Sequence, residues 1–298
     1  MFKPVKNVAV CFSGQCRTWR TAKENILKYY NFGENVNVDF FIHTWDINQY
    51  RNKNDINWIN RPNESVSSAE LEELTLAFNP KKIELQQYNE NEYSTLWSAL
   101  LYTFKKSIWL KRQYEIENDF RYDLVIKTRL DTNYPQTGLC NLRFPLSKFH
   151  LHTVQNMTGY STMPILSKFP TEFNYNCFDD VLFYSNSPTM DIIADCHTWY
   201  EDVIKSGTPN HKTGKFVKNT AFWYGPGTIL YKYLVDVGIH PQGYRAIPYY
   251  IVRKPVEELG LNSIENWEDI RDYSHEWYNA LLNSNNESNV LDKYLPKN

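Results

Sequence analysis

Val8-Ala9-Val10-Cys11-Phe12 is an unbroken apolar run closed by Ser13-Gly14. A strand with one wet face alternates apolar and polar residues. An unbroken run instead describes a strand buried on both faces, as in a parallel sheet covered by helices. Helical spacing follows at once, with Trp19, Ala22, Ile26, Leu27 and Tyr30 placing a helix over Thr18–Tyr30. Val36–Trp45 reads as a second strand, Ser68–Phe78 as a helix that stops before Pro80, and Lys82–Gln87 as a third strand. The longest helix spans Ser94–Glu117. Its stripe is Trp97, Leu100, Leu101, Phe104 and Ile108, with Lys105, Lys106, Lys111 and Arg112 outside it. Leu124–Thr128 is the next strand. This alternation predicts an α/β fold with a mostly parallel, Rossmann-like central sheet and helices on both faces.

The remaining pattern is less regular. Strands are expected within Phe144–Val154, over Asp180–Ser185 and over Ile247–Arg253. Helices are expected over Ser187–Tyr200, with Pro188 in the first turn, and over Pro226–Val237, with Gly238 as the stop. Arg51–Ser68 and Lys205–Lys218 read as polar loops, and Glu265–Leu282 as a surface helix. With no internal repeat and no low-complexity linker, the expected organisation is one domain over 1–255 and a packed helical extension over 256–298.

Charge narrows the function classes. Basic side chains number 32 and acidic ones 34, so no overall positive field exists to hold nucleic acid or an anionic membrane. Any phosphate contact must come from a local cluster. The five cysteines, Cys11, Cys16, Cys140, Cys177 and Cys196, form no CxxC pair, which argues against a disulfide framework or a structural zinc. The apolar run near Met1 is too short for a signal peptide, and no stretch approaches the ~20 apolar residues of a membrane helix. A cytoplasmic protein, of a bacterium or a virus-infected host cell, is expected.

In open α/β sheets ligands sit outside the carboxyl ends of the strands. The first strand ends in Ser13-Gly14-Gln15-Cys16-Arg17, the second in His43-Thr44-Trp45-Asp46 and the fourth in Lys127-Thr128-Arg129-Leu130-Asp131. The Ser13–Arg17 turn leads into a helix N-terminus. Gly14 lets backbone N–H groups approach an anion there, and Arg17 can clamp a phosphate. The turn lacks both the Walker and the GxGxxG spacing. Asp131 offers a hard oxygen to Mg²⁺ or Mn²⁺, or else caps a turn. Arg129 can neutralise phosphate, or pair with Asp131 two residues on. Asp179 or Asp180 can act as a base toward an acceptor hydroxyl, or cap a turn. His43 can touch a base or a phosphate, or serve as a structural histidine. His150 and His152 alternate on a strand without a third ligand, which argues against zinc.

Five stretches occur in a recognisable order: VAVCFSGQCRTW, VDFFIHTWD, YEIENDFRYDLVIKTRLD, FDDVLFYSNSPTMDII and GPGTILYKYLVDVGI. Together they resemble a group of glycosyltransferases from bacteria, algae and large viruses that look like GT-A-type, nucleotide-sugar-dependent enzymes. The resemblance runs from Val8 to Arg253. It implies a GT-A-like fold, a UDP- or GDP-sugar donor and a glycan acceptor. It places the nucleotide at Ser13, Gly14, Gln15 and Arg17, to which the strand-end reading adds His43 and Arg129, and an acceptor-binding or base carboxylate at Asp180 or Asp179. A metal, Mn or Mg, would sit on Asp131. The usual DxD motif reads Arg129-Leu130-Asp131 here, so a cation from the chain replaces one carboxylate and metal dependence is open. Where relatives often have Pro-Glu, this chain has Pro226-Gly227. Two other readings stand beside this one. A sulfotransferase-like enzyme would want a phosphate-loop-like first turn and a histidine base, which SGQCR matches poorly. A non-catalytic glycan-binding protein could keep a transferase fold with a degraded motif.

Overall fold

The structure is a computed structural model. It describes residues 5–48, 63–94, 96–134, 150–153, 181–206, 229–230, 233–234, 236–239, 242–245 and 250–251. In chain order the strands are β1 (Asn7–Ser13), β2 (Asn37–Trp45), β3 (Ile47–Asn48), β4 (Glu64–Ser65), β5 (Lys82–Gln86), β6 (Leu124–Thr128), β7 (Thr132–Asn133), β8 (His150–Thr153), β9 (Phe183–Ser185), β10 (Gln242–Arg245) and β11 (Tyr250–Ile251). The helices are α1 (Trp19–Tyr29), α2 (Ser68–Phe78), α3 (Leu96–Glu117), α4 (Ser187–Ala194) and α5 (Cys196–Ser206).

Seven strands form the central sheet in the order β10-β8-β9-β6-β1-β2-β5. β1 lies parallel between β2 and β6, with Val8 opposite Val38 on one side and Leu124 on the other. β5 is parallel to β2, and β10 to β8. β9 is antiparallel to both β6 and β8, so it alone runs against the other described strands of this sheet. Two small antiparallel pairs, β7 with β11 and β3 with β4, lie outside it. The mostly parallel α/β architecture expected from the sequence is present.

The apolar run of β1 is buried on both faces, as its pattern requires. Val8, Val10 and Phe12 join one core with Trp19, Ala22 and Ile26 of α1 and Leu74 and Phe78 of α2. Ala9 and Cys11 join a second core with Leu101, Phe104 and Ile108 of α3 and with Met190, Ile193 and Tyr200 of α4 and α5. Each fully buried large apolar side chain contributes on the order of 1.5–3 kcal/mol, so this double burial is the main adhesive of the fold.

Local chemistry sets the element ends. Ser67 caps α2 by accepting from the Glu70 N–H at 3.1 Å. Asn79 closes α2 in the left-handed region, just before Pro80. Asn186 caps α4, accepting from the Thr189 N–H at 2.9 Å, with Pro188 in the first turn. The single helix expected over Ser187–Tyr200 is two. The Asp195 N–H turns back to Ile192 O, which tightens the last turn of α4, and α5 starts afresh at Cys196. Strands of two residues, such as β3 and β7, carry too little pattern to read in advance. The loops expected over Arg51–Ser68 and Lys205–Lys218 and the extension expected over 256–298 fall wholly or largely outside the described residues.

Lys111 departs from its expected surface position. It is fully buried. Its Nζ donates to Glu115 Oε2 at 2.9 Å, Ser187 Oγ at 2.5 Å and Asp191 Oδ1 at 2.6 Å. Arg121 bonds the same two carboxylates. The helical stripe could not reveal this, because α4 arrives from some 75 residues downstream, as the Lys111–Ser187 separation of 76 indicates. Removing one partner of a buried ion cluster strands the others, at roughly 3–5 kcal/mol. Lys111→Ala should therefore lower the urea-unfolding midpoint well beyond the exposed-pair variant Lys82→Ala. Equal midpoints would mean that the cluster contributes nothing.

Candidate functional site

The chain steps outward from β1 to β2 and β5, then returns to place β6 on the other side of β1. That reversal is a topological switch point, and the crevice outside the carboxyl ends of β1 and β6 is where open α/β sheets bind ligands. The two sequences leaving those strands are Ser13–Arg17 and Arg129–Asp131.

After β1 the chain turns sharply. Gly14 has φ +109°, a conformation that side-chain-bearing residues rarely adopt. Asn48 of β3 holds the turn from outside. Its Oδ1 accepts from the Arg17 N–H at 2.8 Å and from the Cys16 thiol at 3.6 Å. Burial pushes the Cys16 thiol up to about 11, so it stays a neutral donor. Ser13 is buried, while Gly14, Gln15 and Arg17 are half-buried.

After β6, Arg129 turns onto Asp131 as a two-pronged pair, Nε to Oδ1 at 2.7 Å and Nη2 to Oδ2 at 2.5 Å. Arg17 reaches the same carboxylate, its Nε 3.8 Å from Oδ2. The Asp131 side chain is 0% exposed, against 9% for Arg17 and 14% for Arg129. Two guanidiniums from opposite sides of the switch point thus converge on one buried carboxylate. Such planar forks also match phosphate oxygens. Of the two expectations for Arg129, pairing with Asp131 is the one realised in this geometry.

A metal on Asp131 would share the carboxylate with Arg129. Both Asp131 oxygens already accept from Arg129. No described group of three His, Cys, Asp or Glu could hold an ion.

His43 lies opposite Ser13 across the β1–β2 pairing and is fully buried. Its ring packs edge-on to Trp45 at 5.4 Å and to Tyr102 at 6.0 Å. Its Nε2 lies 3.1 Å from Gln86 Oε1, which also accepts from the Tyr102 hydroxyl at 3.2 Å. An amide oxygen only accepts, so Nε2 carries the proton and Nδ1 is a bare lone pair. Nδ1 is buried with no hydrogen-bond partner among the described residues. Burial lowers the His43 pKa to about 4, against the opposing pull of the Gln86 bond. A neutral imidazole cannot offset phosphate charge. Of the base and phosphate contacts expected for His43, a donor on a base suits a neutral ring better, and burial against Gln86, Trp45 and Tyr102 fits the structural reading equally.

Asp179 and Asp180 lie outside the described residues. Sequence reasoning did not find Asn48, nor Thr132 and Asn133, which follow Asp131 directly. Thr132 Oγ1 and Asn133 Nδ2 are buried with no hydrogen-bond partner among the described residues. Unpaired buried donors cost ~1–3 kcal/mol, so both join the candidate ligand contacts. Their only sequence signal was proximity to the strand end.

No protein-family model matches the chain, and no curated protein matches it.

The His43 geometry predicts an Nε2–H tautomer at neutral pH, readable from imidazole ¹⁵N shifts. Its folded pKa, about 4, lies below the ordinary 6.5, so the unfolded chain takes up the proton first. The His43 share of stability is therefore complete above pH 6.5 and is lost as pH falls toward 4. His43→Gln should flatten that part of the acid profile. A His43 that is charged at neutral pH contradicts the assignment.

Proposed function

We propose that this chain is a glycosyltransferase that moves a sugar from a nucleoside-diphosphate sugar, UDP- or GDP-linked, to a hydroxyl of a glycan acceptor. The observation that carries the proposal is the convergence of Arg17 and Arg129 at the switch-point crevice. The mostly parallel sheet and the five ordered stretches from Val8 to Arg253 support a GT-A-like architecture.

Sugar transfer breaks the bond between the anomeric carbon and the diphosphate, and negative charge develops on the departing phosphate oxygen. Preorganised cations aimed at that oxygen lower the barrier. In this reading Arg17 and Arg129 supply the cations. Asp131, engaged by both, aims them instead of gripping a metal. The Ser13–Gln15 turn offers backbone N–H groups at the entrance to α1. Asp180 or Asp179 remains the proposed acceptor of the hydroxyl proton.

Thermal-shift screening against UDP-, GDP-, CMP- and dTDP-sugars, with and without Mn²⁺, tests the reading. A UDP- or GDP-sugar should stabilise the chain about equally in both conditions. A charged hydrogen bond is worth ~1.5–3 kcal/mol, so Arg129→Ala should weaken nucleotide binding roughly 10- to 150-fold. Arg129→Lys should restore little, because the fork is lost. No stabilisation by any nucleotide sinks the proposal. A response to adenosine 3′-phosphate 5′-phosphosulfate alone would point to the sulfotransferase-like alternative.

A further inference from the structure

We propose that Tyr134 is the positioning residue of this site: fastened to α1, it fixes the turn that holds Arg129 and Asp131 against Arg17. Its use in sugar transfer rests on the glycosyltransferase reading, whereas the positioning itself does not.

Tyr134 is held at every polar atom. Its N–H donates to Asn25 Oδ1 at 2.6 Å, and its carbonyl accepts from Asn25 Nδ2 at 2.7 Å. Its hydroxyl lies 2.6 Å from Thr128 Oγ1 and 2.8 Å from the Tyr30 hydroxyl. Its ring stacks on Tyr29, with centroids 3.8 Å apart. Burial alone would require these atoms to be bonded; what distinguishes Tyr134 is that its partners lie on both β6 and α1.

The placement gives those bonds a purpose. Thr128 is the last residue of β6, so the Thr128–Tyr134 bond closes a turn that has Asp131 at its middle. Asn25, Tyr29 and Tyr30 belong to α1 or its C-terminal cap, and α1 starts two residues after Arg17. One helix is therefore the common reference for both arms of the guanidinium pair. Arg17 enters at its N-terminus, and Arg129 is tied through Tyr134 to its C-terminal half. Rigid support of this kind lets charged groups act without reorganising.

The test begins on the unliganded chain. Hydrogen exchange at the Arg129 Nε–Hε group reports its bond to Asp131, and Arg20, which bonds Glu73 at 2.8 Å, serves as the remote control. Tyr134→Phe removes only the hydroxyl. Thr128→Val removes the same bond from the other end, should the first variant fold poorly. Thr128→Val should speed Arg129 exchange about tenfold, the loss expected for one hydrogen bond, Tyr134→Phe, which also loses the Tyr30 bond, at least as much, and both should leave Arg20 unchanged. Unchanged Arg129 exchange in both variants overturns the proposal.

Inorganic pyrophosphate is the second probe. Tyr134→Phe should weaken its binding in the wild-type background but add little in the Arg129→Ala background. Additive losses would show that Tyr134 does not act through Arg129. Failure of the wild-type chain to bind pyrophosphate would count against the transferase reading, and the exchange experiment would still decide the role of Tyr134.

Discussion

The fold depends on β1 being covered from both sides. Val8, Val10 and Phe12 lock the sheet to α1 and α2, and Ala9 and Cys11 lock it to α3 and its neighbours. Because β1 lies inside the sheet between β6 and β2, its carboxyl end becomes a fixed origin for everything built there. The turn to α1, the neighbouring end of β6 and the buried His43 on β2 all take their positions from it. Double burial costs no special residues within the strand. It does force all polar business to the strand's end.

Electrostatics then divides the molecule. One buried ion cluster, Lys111 with Glu115, Asp191 and Arg121, ties α3 to α4 and to the segment leading into β6. The other, Asp131 with Arg129 and Arg17, stands at the switch point. The first joins side chains whose job ends with their own pairing. The second pairs one carboxylate with two guanidiniums at the switch point, the place where open α/β sheets bind ligands. Position in the topology, more than the chemistry of the pairs, separates structure from candidate function.

Much of the fold was legible because period and burial coincide in its first half. Ser68–Phe78 and Leu124–Thr128 match their expected bounds, and α1, β2, β5 and α3 differ by only one or two residues. The candidate site was legible in part, since Arg17, Arg129 and Asp131 all stand at strand ends. Their pairing was not. Arg129 had two compatible partners in the sequence, and only the turn after β6 brings it onto Asp131. Asn48 and Asn25 gave no signal, because a lone asparagine in a polar stretch or a helix looks like any surface residue. Each acts on a residue far along the chain, Asn25 on one 109 positions away.

The sequence by itself determined the layers: an apolar run without polar breaks must be buried twice, and the helical stripes beside it must supply the cover. It also determined which charges would be delivered to the ligand edge, because a strand's direction fixes its end. The tertiary structure decided the rest. It buried Lys111, left His43 neutral with a bare Nδ1, and turned Arg129 onto Asp131 under the hold of Tyr134. Those outcomes depend on register and on contacts between distant segments, and local periodicity carries no information about either.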